Sequence, residues 1–327
     1  PDQQGGQRVD KGVGIITMSS NVGFNLTMQR RGLPIAYMIS LGNRLKFDLH
    51  DAIFTLASQK EVTALGIFVE AIPNPKAFQE AVDFARQLGK PVVAFKIGRS
   101  ATAQKMVLSH TASLAGSDAL VDALFERLGV ARVHSLEALV EALKVLHVFG
   151  PLPGGRIGAM STSGGDLTLL ADALPPKLDM PPLSNQVAEK LRTILHERIV
   201  AANPFDFQMF DWNDETRLAE YFSTFMGEDF DLSLCLLDYP RDDRCDQSSW
   251  GGAERAFVRA ASQTGSRAAI LATFSDTVSE AIAARLMDKG LALLAGVDAA
   301  LAGIQAAVDI GGAWSRPPRP PLLACPC

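Results

Sequence analysis

The stretch VGIITMSSNVGFNLTMQRRGLPIAYMISL (13–41) reads as strand, turn, helix, strand. An apolar run at 13–18 leads into a serine-rich turn, a helical pattern over 22–32 and a second apolar run at 34–41. Apolar runs that bracket a helix pair in parallel, because the helix carries the chain back to the end of the sheet where the first strand began. The rhythm continues outward. Further strands are expected at 64–69, 91–97 and 131–134, and further helices at 48–59, 75–88, 117–128 and 135–148. Strands that alternate with helices in this way predict an α/β domain, its parallel sheet covered on both faces.

The segment FGPLPGGR (149–156) interrupts the pattern with prolines and glycines, which suits a domain boundary. The same rhythm then restarts. Strands are expected at 157–160, 232–238, 268–273 and 291–294, with helices at 165–174, 184–195, 214–226, 252–263, 277–288 and 298–309. Two domains are therefore predicted, at 1–150 and 151–312. The proline-rich stretch 313–327 is expected to be a linker or tail, because proline continues neither a helix nor a central strand. The polar start PDQQGGQRVDKG also reads as a linker, so the chain is expected to be either a piece of a longer protein or a subunit completed by others.

Composition narrows the function. The 327 residues are 47% hydrophobic and 20% charged, which is material for two cores. A net charge of -5 with no dense basic cluster argues against a broad nucleic-acid surface. No apolar run is long enough to cross a bilayer. Of the four cysteines, Cys235 sits in an apolar run, and Cys325 and Cys327 form a C-x-C pair with no second pair to complete a zinc site. A reducing, cytoplasmic setting and no metal site on this chain are expected.

The two halves open alike. Each sends an apolar strand into a serine-rich turn with glycine and then a helix: MSSNVG (18–23) and STSGGD (161–166). Helix N-termini carry unpaired N–H groups and about half a positive charge, and small residues let an anion approach them. Such turns serve equally as ordinary N-caps. Neither contains the G-x-G-x-x-G dinucleotide pattern or the G-x-S-x-G elbow of α/β-hydrolases.

The segment KPVVAFKIGRSATAQKMVLSHTASLAGSDALVDALFERLGV (90–130) carries the chemistry. A strand ending at Ile97 and a helix started by Ser117 or Asp118 are joined by a long connection, expected to be a loop over 98–116. His110 lies within it, flanked by Ser109, Thr111 and Ser113. A neutral imidazole is a competent nucleophile near neutral pH, and its N–P bond is labile enough to pass a phosphoryl group on. A merely hydrogen-bonded histidine fits the residues equally well.

The run 98–130 resembles the G-R-S … S-H-T-G-S-L-A-G-S-D segment of the NDP-forming (ADP-forming) acyl-CoA synthetases, relatives of succinyl-CoA synthetase. GIITMSSNVGF (14–24), ISLGNRLKFDLHDAI (39–53), LGIFVEAIPNPKAF (65–78), MSTSGGDLTLLADAL (160–174) and AANPFDF (201–207) are similar to further motifs of that family, in the same order. The resemblance implies two tandem flavodoxin-like domains, succinyl-CoA synthetase-like, the first carrying the phosphohistidine loop. It implies His110 as the phosphorylated histidine and Glu70 as the carboxylate that orients it. Ser20, Asn21 and Gly23 would line one phosphate-facing helix end, and Ser163, Gly164 and Gly165 the other. Asn43, Asn203 and Asp206 would lie nearby, where loop or capping roles suit them as well. Ala112 and Ser20 stand where the family usually has glycine.

The implied reaction is acid + CoA + ATP to acyl-CoA + ADP + phosphate. CoA and ATP/ADP with Mg would be bound largely by a CoA-binding domain and an ATP-grasp domain, expected as partners in an oligomer. The substrate would be a small carboxylic acid. Alternatives are a non-catalytic regulatory or scaffold module of the same core, and a flavin-binding flavodoxin-like protein.

Overall fold

The computed structural model describes residues 5–42, 47–111, 117–241, 243–277 and 279–322, without the side chains of 108–111. The chain divides into two compact units, Pro1–Pro151 with Ala302–Cys327, and Leu152–Leu301. The final stretch thus counts with the first unit, whereas the sequence places it in the second domain and a tail. The reason is packing. Gly303 lies against the backbone of Ala142, where a Cβ would meet a nitrogen at 2.6 Å. Gln79, Arg86 and Arg127 also hold carbonyls of the last described residues.

The first unit is built on β1 (Gly12–Thr17), β2 (Ile35–Ser40), β3 (Val62–Val69), β4 (Val92–Lys96) and β5 (Ala131–Val133). They lie in the order β2-β1-β3-β4-β5, all parallel. Its helices are α1 (Ser20–Thr27), α2 (Leu49–Ala57), α3 (Pro75–Gln87), α4 (Ala101–Thr111), α5 (Asp118–Leu128) and α6 (Leu136–Phe149). β3 is buried almost throughout, as a strand covered on both faces must be. At its centre Gly66 lets α6 come close: a Cβ there would meet Leu143 Cδ1 at 2.7 Å.

The second unit repeats the topology. Its strands are β6 (Ile157–Ser161), β7 (Phe205–Asp206), β8 (Leu232–Leu236), β9 (Ala268–Ala272) and β10 (Ala292–Ala295), in the order β10-β9-β8-β6-β7. The helices are α7 (Gly164–Asp172), α8 (Asn185–Ile194), α9 (Glu215–Phe225), α10 (Trp250–Thr264) and α11 (Glu280–Met287), and α12 (Val297–Trp314) begins in this unit and continues into the first. Its core is aromatic, with Phe205, Phe207, Tyr221, Phe222, Phe225 and Phe257 fully buried. The two tandem parallel sheets with flanking helices are the fold expected. No helix of the described residues is long and apolar enough to cross a membrane.

Two elements depart from expectation. Where the sequence predicts a loop over 98–116, the chain forms α4. Ser100 starts it, accepting from Ala103 N–H at 3.1 Å. The residues ATAQKMVL favour helix but lack an apolar stripe: Val107 is buried while Met106 is 66% exposed. The other is β7, a two-residue edge strand too short to produce an alternating pattern.

Candidate functional site

In a parallel sheet with this strand order, the connection after β1 runs to one side and that after β3 to the other. Loops at the carboxyl ends of β1 and β3 therefore part to leave a crevice. The register pairs Thr17 with Phe68, and Met18 N–H bonds Phe68 O at 3.1 Å, so the exits of β1 and β3 lie side by side. Thr17 Oγ1 accepts the Ser19 N–H at 3.0 Å and donates to Ser19 O at 2.8 Å, which turns the chain sharply off the strand. Ser19 then caps α1, accepting weakly from Val22 N–H at 3.4 Å.

The first turn of α1 contains no acidic residue, so nothing on the helix itself offsets its positive end. Ser20 and Asn21 are exposed at this end, and Ser20 Oγ also meets Ser40 Oγ at 2.8 Å. Gly23 is buried one turn in, where a Cβ would meet Thr17 Cγ2 at 2.9 Å and Met38 Sδ at 3.0 Å. What the structure requires of Gly23 is close packing of α1 on the sheet.

Glu70 follows β3 directly and is 9% exposed. Its N–H is directed at Met18 Sδ, 3.2 Å away. Its Oε2 is buried and has no hydrogen-bond partner among the described residues. Buried carboxylate oxygens are rarely left so, because the lost hydration is not regained.

One strand over, Ile97 N–H bonds Val69 O at 3.0 Å, which holds the exit of β4 beside the exit of β3. Gly98 turns the chain with φ +84°. α4 then runs from Ala101 to Thr111, so the backbone of His110 lies in its last turn. The His110 side chain, residues 112–116 and Asn43 lie outside the described residues.

Both ends of this segment are pinned by a charge cluster that the sequence motifs do not single out. Lys96 is 1% exposed, with Nζ 3.0 Å from Ile97 O and 3.3 Å from Asp118 Oδ1. Arg132 bonds the same Asp118 oxygen at 2.9 Å and also reaches Asp122. Burial pushes the Asp118 carboxyl up, but hydrogen bonds and charge from Arg132 and Lys96 outweigh it and hold the group below the usual range. A lysine closing a strand and an acid opening a helix, each ordinary alone, are the only sequence signal of this pairing.

The second unit builds the same station with different chemistry. Met160 pairs with Cys235, so the exits of β6 and β8 lie side by side, and Asp238 follows two residues after β8. Ser161 Oγ accepts the Ser163 N–H at 3.1 Å, as Thr17 does for Ser19, and Ser163 caps α7 through Asp166 N–H at 3.2 Å. Gly164 and Gly165 are exposed there, and a Cβ on Gly164 would lie 3.1 Å from Asp206 Oδ2. Asp238 accepts from Thr273 N–H at 2.8 Å and Thr273 Oγ1 at 2.6 Å. Burial, together with the charge of Asp238, raises Asp166 above the usual carboxylate range despite its bond to Ser163.

The helix end of the second unit thus carries an acid in its first turn, Asp166, which that of α1 lacks. Asn203 spends its amide on the backbone of Ala159, Ile157 and Pro181, all within 3.0 Å, and so fastens the strand-edge loop. Asp206 accepts from Gln208 N–H at 3.1 Å. Among the described residues no cluster of three or more His, Cys, Asp or Glu is arranged to hold a metal ion. Burial pushes the Cys235 thiol up to about 12, which leaves it unreactive.

Residues 10–146 match the model of the succinyl-CoA ligase like flavodoxin domain. The alpha subunit of acetate–CoA ligase [ADP-forming] II from Pyrococcus furiosus is 30% identical over 199 residues, 59% of this chain and 43% of that protein. Trans-feruloyl-CoA synthase FCS1 of an unknown prokaryotic organism is also 30% identical, over 60% of this chain and 28% of its own length. The chain therefore spans less than half the length of these relatives. A dinucleotide forming acetyl-coenzyme A synthetase 1 of Ca. Korarchaeum cryptofilum, solved in complex with phosphate and ADP, shares the fold with a TM-score of 0.79. It is 19% identical and is matched over 94% of this chain and 66% of its own. Residues 10–146 thus form a succinyl-CoA ligase like flavodoxin domain, and the chain is similar in sequence to ADP-forming acyl-CoA ligases.

Proposed function

We propose that this chain is the phosphoryl-carrying part of an ADP-forming acyl-CoA ligase, with His110 as the carrier and Glu70 as the group that orients it. The observation that carries this reading is the Glu70 oxygen, buried and unpartnered at the switch point between β1 and β3. Leaving such an atom unsatisfied costs on the order of 1–3 kcal/mol, so an incoming donor is favoured there. An imidazole N–H is such a donor. Accepting it fixes the tautomer and leaves the other ring nitrogen free as nucleophile. The positive end of α1, with no acid in its first turn, suits the phosphoryl oxygens, with Ser20 and Asn21 at its rim. The segment that carries His110 leaves the sheet one strand away.

In the direction of ATP synthesis, the free imidazole nitrogen attacks the phosphorus of an acyl phosphate and the carboxylate leaves. A terminal oxygen of ADP then attacks the same phosphorus, the N–P bond breaks, and the neutral imidazole returns. The acid would be a small carboxylic acid. A CoA-binding domain and an ATP-grasp domain or subunit would complete the enzyme in a cytoplasmic oligomer. Mg²⁺ would be held with the nucleotide by that partner. Ser163, Gly164 and Gly165 would receive the phosphoryl group from the second unit only with Asp166 protonated or its charge offset.

The test is transfer from radiolabelled ATP to the complete enzyme. Wild type is expected to take up acid-labile, base-stable label, and His110→Ala none. Equal labelling of the two would end the proposal.

A further inference from the structure

In the first unit, away from the crevice, the end of α12 and the residues after it cross α3 and α5 and leave a cavity of about 370 Å³. Four arginines line it, Arg86, Arg127, Arg316 and Arg319, against one acid, Glu126. Its wall is close-built: Gly129 takes φ +70°, and a Cβ there would meet Ala313 at 2.8 Å.

The arginines are not consumed by the protein. Arg86 uses Nη2 on the carbonyls of Trp314 and Arg316. Arg127 uses Nη2 on Pro320 O at 2.7 Å. Arg316 uses Nε on Gly312 O at 3.2 Å. The guanidinium of Arg319 bonds nothing among the described residues. Nor does any of the four make an ion pair there, whereas Arg132, Arg217, Arg255 and Arg285 all do. Arg127 Nε is buried with no partner. The acid behind them is Asp83, whose carboxyl burial raises above its usual range although Gln79, Arg86 and Arg127 act to lower it.

Each guanidinium carries five donors in a planar fork, so most of the donor capacity around the cavity is unspent. Like charges held together repel unless an anion joins them. The volume lies within the range of small-molecule sites, which begins at about 300 Å³. We propose that this cavity is a binding site for a small, multiply charged phosphate compound, separate from the crevice at Glu70. Forked contacts from Arg127 and Arg319 would supply recognition, and the bonds of Arg86 and Arg127 to the chain's last turns would link occupancy to the seating of that segment.

The probe is inorganic pyrophosphate, titrated calorimetrically into the full chain. Wild type is expected to bind in the submillimolar range. Arg319→Ala removes a side chain that bonds nothing, so it folds normally, and binding should weaken about tenfold for one lost charge-assisted contact. Arg127→Lys keeps the charge but loses the forked donor set, and should weaken binding several-fold while circular dichroism shows the fold retained. His110→Ala should bind as wild type does, which separates this site from the crevice. No heat into the millimolar range would overturn the proposal. So would equal affinity in both arginine variants, loss of binding in His110→Ala, or uptake of an acidic peptide but not pyrophosphate.

Discussion

Glu70 and Asp238 occupy the same station in two sheets of one topology, each just past the end of the strand that neighbours the first. Asp238 is saturated by Thr273, while Glu70 keeps a buried oxygen without a partner. The same backbone thus yields a locked joint in one unit and an unfilled acceptor in the other. A double dissociation follows. Glu70→Gln removes no hydrogen bond at Oε2, so thermal stability should hold, while phosphorylation of the complete enzyme should fall about 10–100-fold, as for loss of an orienting carboxylate. Asp238→Ala strands the Thr273 donors and should cost about 1–3 kcal/mol by denaturant unfolding. A stability loss in Glu70→Gln equal to that of Asp238→Ala would show that Glu70 is only structural.

Asp118 joins the strand before the His110 segment to the helix after it, through Lys96 and Arg132. Asp118→Asn removes the charge that a fully buried Lys96 faces, an uncompensated state that costs about 3 kcal/mol where burial is complete and less here, since Asp118 is partly exposed. Limited proteolysis should then cut faster within 98–117 than elsewhere. Asp118→Glu, which retains the charge, should restore part of the protection. Uniform acceleration across the chain would point to global destabilisation.

The fold was legible because buried parallel strands announce themselves as apolar runs, and the runs at 13–18, 64–69 and 91–97 coincide with β1, β3 and β4. Glycines that close a turn, such as Gly98 and Gly129, also mark their own positions. α4 was not legible, because Met106 and most of its neighbours face solvent and leave no stripe. Glu70 could be named only through resemblance: a glutamate after a strand is usually a surface group, and its burial depends on what packs over it. The Lys96–Asp118–Arg132 cluster escaped because its members are far apart in sequence and meet only when β4, β5 and α5 come together. Asp166 and Asp238 escaped for the same reason, although they set the charge at the second helix end.

Acid should weaken the first unit before its carboxylates titrate. Burial, and then the charge of Lys11, lowers the His147 pKa below its ordinary 6.5, while its Nδ1 meets Thr63 Oγ1 at 2.8 Å. Burial, Arg99 and Arg132 lower His134 likewise. The unfolded chain therefore binds more protons than the native one just below pH 6.5. Stability that is full above that value is lost as pH falls toward the native pKa. His147→Asn, which places an oxygen near the Nδ1 position, should flatten the melting-temperature profile between pH 7 and 5. An unchanged slope in His147→Asn and His134→Asn alike would place the acid sensitivity elsewhere.

Beneath α1, the loop to β2 is tied to α6 by charges taken fully out of water. Glu141 bonds Arg31 at 2.9 Å and Lys144 at 2.8 Å, and Lys144 Nζ reaches Arg31 O at 3.1 Å. Burial lowers the Lys144 pKa, and Glu141 opposes that shift. Desolvation makes such pairs poor sources of net stability but expensive to break singly. Glu141→Gln leaves the Lys144 ammonium facing a neutral amide and should cost about 3–5 kcal/mol. Replacing both members, Glu141→Leu with Lys144→Met, removes the charges together and should recover most of that loss. Arg31 sits nearer solvent, 19% exposed, and can rehydrate when its partner goes. Urea unfolding of Glu141→Leu, Lys144→Met and the double variant measures the coupling directly. If the losses simply add, these charges act independently, and the loop that carries the chain from α1 into β2 must be held by something other than this cluster.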